Sequence, residues 1–204
     1  MRVSTGESFE VISYGSGVAA EDELRLCGDL SGGKRAIELG ISSGQNSIAF
    51  ALAGAKAIAV DPEPDRIADL RQVAAHRDLH VECHVAELAD LGFATSGSVE
   101  VVLADRTLDA VDDLGRLLRQ VHRVLKPSHP FVIVTEHPFA PLVAELSAKV
   151  STTRSYGDRD RTIGEWFIAL SRANFRVDAL HELGVDTDNP APTTLVIRAR
   201  KEGS

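Results

Sequence analysis

The sequence predicts a doubly wound α/β fold: a mostly parallel sheet of seven strands covered by helices, with an antiparallel strand at the carboxyl-terminal edge. Three observations predict it. Short runs of Val, Ile, Leu and Ala alternate with stretches of helical period, as in parallel strands that are buried on both faces and joined by helical crossovers. A glycine-bearing turn, Gly40 to Gly44, leads from the first of these runs into a helix. An acid followed by proline, Asp61-Pro62, closes the second run. Right-handed crossovers would gather the loops at the carboxyl ends of the strands, where ligands bind at the switch in strand order.

Taken in order, residues 1–20 mix small and polar types and end in Gly15, Ser16 and Gly17, the composition of a loosely held arm or flap. Residues 21–30 form a short helix with Leu24, Cys27 and Leu30 on one side, stopped by Ser31, Gly32 and Gly33. Residues 35–39 are a strand, 45–53 an alanine-rich helix ended by Gly54, and 56–60 a second strand. Residues 65–76 are a helix through Ile67, Leu70, Val73 and Ala74, followed by strands over 79–85 and 99–104. Leu114, Leu117, Leu118, Val121, Val124 and Leu125 share one face of a helix over 110–125, which Pro127 stops before a fifth strand at 130–135. Beyond a turn at 137–140, the pattern gives a helix over 141–150 and a polar loop over 151–161. A helix through residue 172 then places Ile163, Trp166, Phe167 and Leu170 on a core-facing side. Strands over 175–183 and 192–200 pair as an antiparallel hairpin at the sheet edge.

Composition narrows the function. A chain of 204 residues fits a single domain. Its 30 acids against 22 Lys and Arg give a net charge of −8, which disfavours nucleic acid as a partner. Arg154, Arg159 and Arg161 alternate with Asp158 and Asp160 and read as a solvated loop. Cys27 and Cys83 stand far apart beside apolar residues and suit a reducing compartment. The amino terminus lacks the apolar run of a signal peptide, and no stretch reaches the roughly 20 apolar residues that span a bilayer. The expectation is a cytoplasmic protein with no membrane contact. The histidines are scattered without ligand spacing, so no metal is expected.

The turn Glu38-Leu39-Gly40-Ile41-Ser42-Ser43-Gly44 carries the most information. Glycine lets the backbone turn sharply and approach a ligand closely. A dinucleotide fingerprint would need further glycines at positions held by Ser42 and Gln45, and no Lys-Ser or Lys-Thr pair completes a nucleoside-triphosphate loop. Glu38, a carboxylate at the strand end, repels a pyrophosphate and favours a cationic group. Asp61, 21 residues after Gly40, can accept both hydroxyls of a ribose, and a helix N-cap is its local alternative.

These residues resemble the Rossmann-like S-adenosylmethionine-dependent methyltransferases over about residues 34–136. Glu38-Leu39-Gly40 with Gly44 is similar to the family's first-strand motif, with Ser42 at a position where glycine is usual. Ala86-Glu87-Leu88-Ala89-Asp90-Leu91-Gly92-Phe93 resembles the segment whose acid meets the adenine amino group, and residues 120–127 resemble the helix before the fifth strand. The resemblance implies S-adenosyl-L-methionine as cofactor. Glu38 would lie near its methionine amino group, with the backbone of Gly40, Ile41, Ser42 and Gly44 against it. Asp61, Pro62 and Glu63 would lie at the ribose, Glu87 and Leu88 at the adenine, and Ala104 beside the cofactor. The domain then divides into an arm and helix (1–33), a cofactor-binding core (34–136) and an acceptor-side insert with terminal strands (137–204).

Methyl transfer is an in-line displacement, so alignment and exclusion of water dominate, and a base is needed only where the acceptor loses a proton. His137 is the base candidate, and its alternative is a loop histidine that caps a neighbouring element. Tyr14, Asp105, Arg106, Phe139, Arg154 and Tyr156 are the candidate acceptor contacts, with a surface ion pair as the plain alternative for Asp105 and Arg106. The strand-four end, Ala104-Asp105-Arg106-Thr107, lacks the Asn/Asp-Pro-Pro-aromatic motif of family members that methylate adenine or glutamine nitrogens, which leaves a small molecule as the expected acceptor. A non-catalytic cofactor-binding or regulatory protein and a nicotinamide-dependent oxidoreductase are the alternatives, and a homodimer is left open.

Overall fold

The computed structural model describes residues 10–15, 17–43, 45–109, 111–142, 156–157, 161–185 and 191–203. The periodicities resolve into α1 (Glu21–Leu24), β1 (Arg35–Leu39), α2 (Asn46–Leu52), β2 (Lys56–Asp61), α3 (Pro64–His76) and β3 (Val81–Val85). These are followed by β4 (Val101–Asp105), α4 (Leu114–Val124), β5 (Pro130–Glu136), α5 (Ile163–Arg172), β6 (Phe175–Leu183) and β7 (Thr194–Lys201). Most of the helix expected over 141–150, and most of the loop after it, lies outside the described residues.

The seven strands form one sheet in the order β3-β2-β1-β4-β5-β7-β6. From β3 to β5 every pairing is parallel, and β7 runs antiparallel to both β5 and β6. The edge hairpin therefore forms, with β7 inserted inside the sheet and β6 outermost. The order reverses between β1 and β4, which opens a crevice at their carboxyl ends.

Both faces are covered. On one, Ile37, Ile58, Val102 and Ile133 pack beneath Leu117 and Val121 of α4 and Trp166 and Leu170 of α5. On the other, Ala36, Leu103 and Val132 pack against Phe50 of α2 and against Tyr14, Leu26, Cys27 and Leu30 from the amino-terminal segment. Ile67, Leu70 and Ala74 of α3 join Ile41 and Ile48 in a third cluster.

Several boundaries differ from the sequence pattern for local reasons. α1 stops after one turn because Arg25 takes a left-handed conformation (φ 51°) and the Glu21 carboxylate accepts the N–H groups of Leu26, Cys27 and Gly28. α4 begins at Leu114 because the Asp113 side chain caps it, accepting Arg116 N–H at 2.8 Å. Trp166 is buried as expected, but Phe167 turns outward and is 59% exposed. A ten-residue helix buries a narrow stripe, here the i, i+4 pair Trp166 and Leu170.

α5 opens with a capping box. The Thr162 hydroxyl accepts Glu165 N–H at 3.1 Å, and the Glu165 carboxylate accepts Thr162 N–H at 2.8 Å. Thr162→Ala is expected to lower stability by about 1 kcal/mol. The check is a urea midpoint that moves down with an unchanged slope.

Candidate active site

β1 delivers Glu38 into the interior and then turns at Gly40, whose φ of +80° lies in the left-handed region that glycine adopts without strain. The Glu38 carboxylate is fully buried and accepts backbone N–H groups from Asn46 (2.9 Å), Ser47 (2.8 Å) and Ser42 (3.4 Å). Gln45, the first residue of the α2 turn, offers no side-chain cap, so Glu38 caps the helix from the neighbouring strand. Burial pushes the Glu38 pKa above the usual carboxylate value, against the opposing pull of Ser47, Asn46 and Ser42. The Glu38 carboxylate faces the loop and does not line the two cavities at the strand ends. It shapes the turn through the backbone it holds.

Asp61 ends β2 and ties two loops together. One carboxylate oxygen accepts Ile41 N–H at 2.8 Å, the other accepts Glu63 N–H at 2.8 Å, and Arg66 stands 3.5 Å away. A carboxylate offers about four acceptor positions, so each oxygen keeps capacity for a ligand hydroxyl. Asp61 forms the floor of a cleft of about 520 Å³ that Gly40, Pro62 and Glu63 also line. Exposed Glu87 and nearly buried Leu88 add to its wall, Leu88 resting on the core below. Asp109, Asp112 and Asp113 extend the acidic lining, against Arg66, Arg106 and Arg116. The excess of carboxylates favours a cationic guest.

A second cavity of about 350 Å³ lies beside Ile41, Ser42, Ser43 and Asp105, and the two cavities share Arg66, Arg106 and Thr107. Thr107 is the residue that sequence reasoning missed. Its hydroxyl donates to Leu39 C=O at 2.5 Å, and a Cβ built on Gly40 would fall 2.4 Å from Thr107 Cβ. Gly40 is thus needed twice, for its backbone conformation and for the side chain above it. The only signal in the sequence is a hydroxyl two residues past the acid that ends β4.

Asp105 is nearly buried, pairs with Arg106 at 2.7 Å and is hydrogen-bonded by the Ser42 side chain. Burial raises its pKa, while Arg106 and Ser42 oppose the rise. The Arg106 guanidinium also reaches Tyr14 C=O (3.2 Å) and the Thr194 hydroxyl (2.9 Å), so it fastens the amino-terminal segment and β7 to the end of β4. Asp105 and Arg106 are therefore an ion pair and also walls of the second cavity.

Other expected positions fall elsewhere. The Tyr14 side chain is fully buried in the core, where its hydroxyl donates to the Glu21 carboxylate and lies 3.6 Å from Cys27 Sγ. Burial raises its pKa far above the ordinary phenol value. The structure thus places Tyr14 in the core. Tyr14→Phe is expected to cost about 1 to 2 kcal/mol, measured as a lower thermal midpoint with cofactor affinity unchanged.

His137 follows β5 but points to the edge hairpin. One ring nitrogen lies 2.9 Å from a Glu182 carboxylate oxygen, and the other accepts Phe139 N–H at 3.2 Å. It lines neither cavity, and its ring is held by the edge hairpin. Ala104 is sealed in the core and borders neither cavity. Phe139 and Tyr156 are surface side chains, 44% and 46% exposed, and line neither cavity. Gly44 and Arg154 lie outside the described residues. Among the described residues no cluster of His, Cys, Asp or Glu has the makings of a metal site, and no helix is long and apolar enough to cross a membrane.

Residues 37–133, from β1 to β5, match a family model described as a methyltransferase domain. Among solved structures the chain is similar to an S-adenosylmethionine-dependent methyltransferase from Mesorhizobium loti, with 24% identity over 88% of this chain and 96% of that one and a TM-score of 0.68. It is also similar to one from Methanosarcina mazei (19% identity, 84% and 94% covered, TM-score 0.66). A third is geranyl diphosphate C-methyltransferase from Streptomyces coelicolor, solved with Mg2+, geranyl diphosphate and S-adenosyl-L-homocysteine (14% identity, 89% and 78% covered, TM-score 0.69). No curated protein matches the chain. The fold is the seven-stranded Rossmann-like methyltransferase fold. The match to a methyltransferase domain spans the strands that build the cleft, β1 to β5.

Proposed function

We propose that the chain transfers a methyl group from S-adenosylmethionine to a small-molecule acceptor. The observation that carries this reading is the acid-rich cleft at the strand-order switch, floored by Asp61 and Gly40. Its donor and acceptor set suits the cofactor. Asp61 and Glu63 present carboxylates to ribose hydroxyls, Glu87 an acceptor to an exocyclic amine, and Leu88 an apolar wall to a purine. A volume of about 520 Å³ is ample for a nucleoside. The neighbouring cavity has Asp105 and Arg106 to meet the opposite charges of an amino-acid tail.

When bound, the cofactor supplies a methyl carbon activated by a positively charged sulfur. The chain's own part is electrostatic and steric. The carboxylates of the cleft favour the cationic nucleoside over its neutral demethylated product, which assists exchange after each turnover. Glu38 and Asp61 fix the backbone of the loop from opposite sides, so alignment is prepaid in folding. Arg106 holds the amino-terminal segment to the strand ends beside the second cavity.

Calorimetry with S-adenosylmethionine, S-adenosylhomocysteine and NAD tests binding, with the first two expected to bind and NAD not. Incubation with methyl-labelled cofactor and a metabolite extract tests turnover, and label in a low-molecular-weight product is the expected result. Binding without transfer to any acceptor fraction would instead mark a regulatory cofactor-binding protein, and binding of NAD alone would overturn the reading.

A further inference from the structure

At the amino-terminal ends of β1, β4 and β5, remote from the cofactor cleft, lies a pocket of about 190 Å³. We propose that it is a binding site for a phosphate group. Its charge runs against that of the whole chain: Arg25, Lys34, Arg198 and Arg200 line it, against Asp29 and Glu100, in a protein of net charge −8. The acids present do not neutralise these cations. Arg198 and Arg200 share one carboxylate, Asp178, with Arg198 Nε at 2.7 Å. Glu100 is held by Lys126 from outside the pocket, and Arg25 makes no ion pair among the described residues. One guanidinium charge of the Arg198–Arg200 pair and that of Arg25 are thus left for a guest.

Donors remain as well. Arg198 spends Nε and one N–H of each terminal nitrogen on Asp178 and Arg25 C=O, and Arg200 spends Nε on Asp178 and one N–H on Ser128 C=O. A guanidinium has five N–H groups, so two stay unspent on Arg198 and three on Arg200. Lys34 gives two of its three donors to Asp29. The arginines are also rigid, pinned by Asp178 on adjacent strands, so little side-chain freedom is lost on binding. The volume admits one tetrahedral oxyanion but no nucleotide. The guest is either free phosphate or the terminal phosphate of a monoester that projects into solvent.

The test is an NMR titration of the full chain with inorganic phosphate, and separately with glycerol phosphate, at ionic strength held constant with sodium chloride. Saturable shifts at the amides of Gly28, Asp29 and Arg200, with half-saturation in the low millimolar range, are expected. Arg25→Gln, at an exposed position, is expected to weaken binding about tenfold, and Arg25→Gln with Arg200→Gln to remove it. If the double variant does not fold, Arg25→Gln decides alone. Equal response to both probes identifies a phosphate-ester site, and response to inorganic phosphate alone a site for the free anion. Unsaturable shifts scattered over the surface, or unchanged affinity in Arg25→Gln, would overturn the proposal.

Discussion

Gly40→Val is expected to destroy cofactor binding and to destabilise the fold by about 3 kcal/mol, the sum of a left-handed backbone forced on a β-branched residue and a clash with a packed neighbour. The first part follows from a φ of +80° and the second from Thr107 Cβ, which lies 2.4 Å from where the new Cβ must go. Thr107 cannot withdraw freely, because its hydroxyl is bonded to Leu39 C=O on β1 itself. For a domain of this size the loss corresponds to a fall of about 6 to 12 °C in the thermal midpoint. Affinity for S-adenosylhomocysteine should drop more than about 100-fold, because the turn would move where the ligand must approach the backbone. Adding Thr107→Gly relieves the clash but not the backbone strain, so the double variant should recover about half of the lost stability. A valine variant that melts with the wild type and binds normally would show that Thr107 has room to move and that the turn does not meet the cofactor.

The second large effect is at Asp61. Asp61→Ala is expected to weaken S-adenosylmethionine binding by about 1.5 to 3 kcal/mol, as for a lost charge-assisted hydrogen bond. The geometry adds a stability cost that ribose binding alone would not give. Without the carboxylate, Ile41 N–H and Glu63 N–H lose their acceptor, and the loops after β1 and β2 are no longer joined. Asp61→Asn separates the two roles: the amide oxygen still accepts one N–H, so stability should fall less than in the alanine variant while affinity falls nearly as far. Calorimetric titration and thermal denaturation of both variants provide the check. Binding unchanged in a folded alanine variant would remove Asp61 from the site.

What could be read beforehand follows from what is local. Strands β1, β2, β4 and β5 are legible because a run buried on both faces must be continuously apolar, as Val101 to Ala104 is. Gly40 and Asp61 are legible because a strand-to-helix turn limits which residues fit. The positions that the structure places away from the two cavities depend on where a side chain points after a loop. Tyr14 lies in a segment of polar composition, and the half-buried Glu21 carboxylate, seven residues away, holds its ring inward. His137 follows β5 as expected, yet Glu182 on β6 turns its ring to the hairpin. The placement of β7 was equally hidden, since a hairpin sequence states that two strands pair but not which one meets the rest of the sheet. Thr107 carries no motif, and its importance appears only when the space above Gly40 is measured.

The insertion of β7 also bears on how the protein is made. β6 emerges from the ribosome first but pairs with no strand except β7, so it has no place in the sheet until its successor has been synthesised and has threaded into the gap beside β5. Lys201, at the close of β7, then reaches under the sheet to Leu125 C=O at 2.9 Å and locks the late arrival to the end of α4. A nascent chain stalled before residue 194 would therefore present the flank of β5 as an open, apolar edge of the kind that chaperones cover.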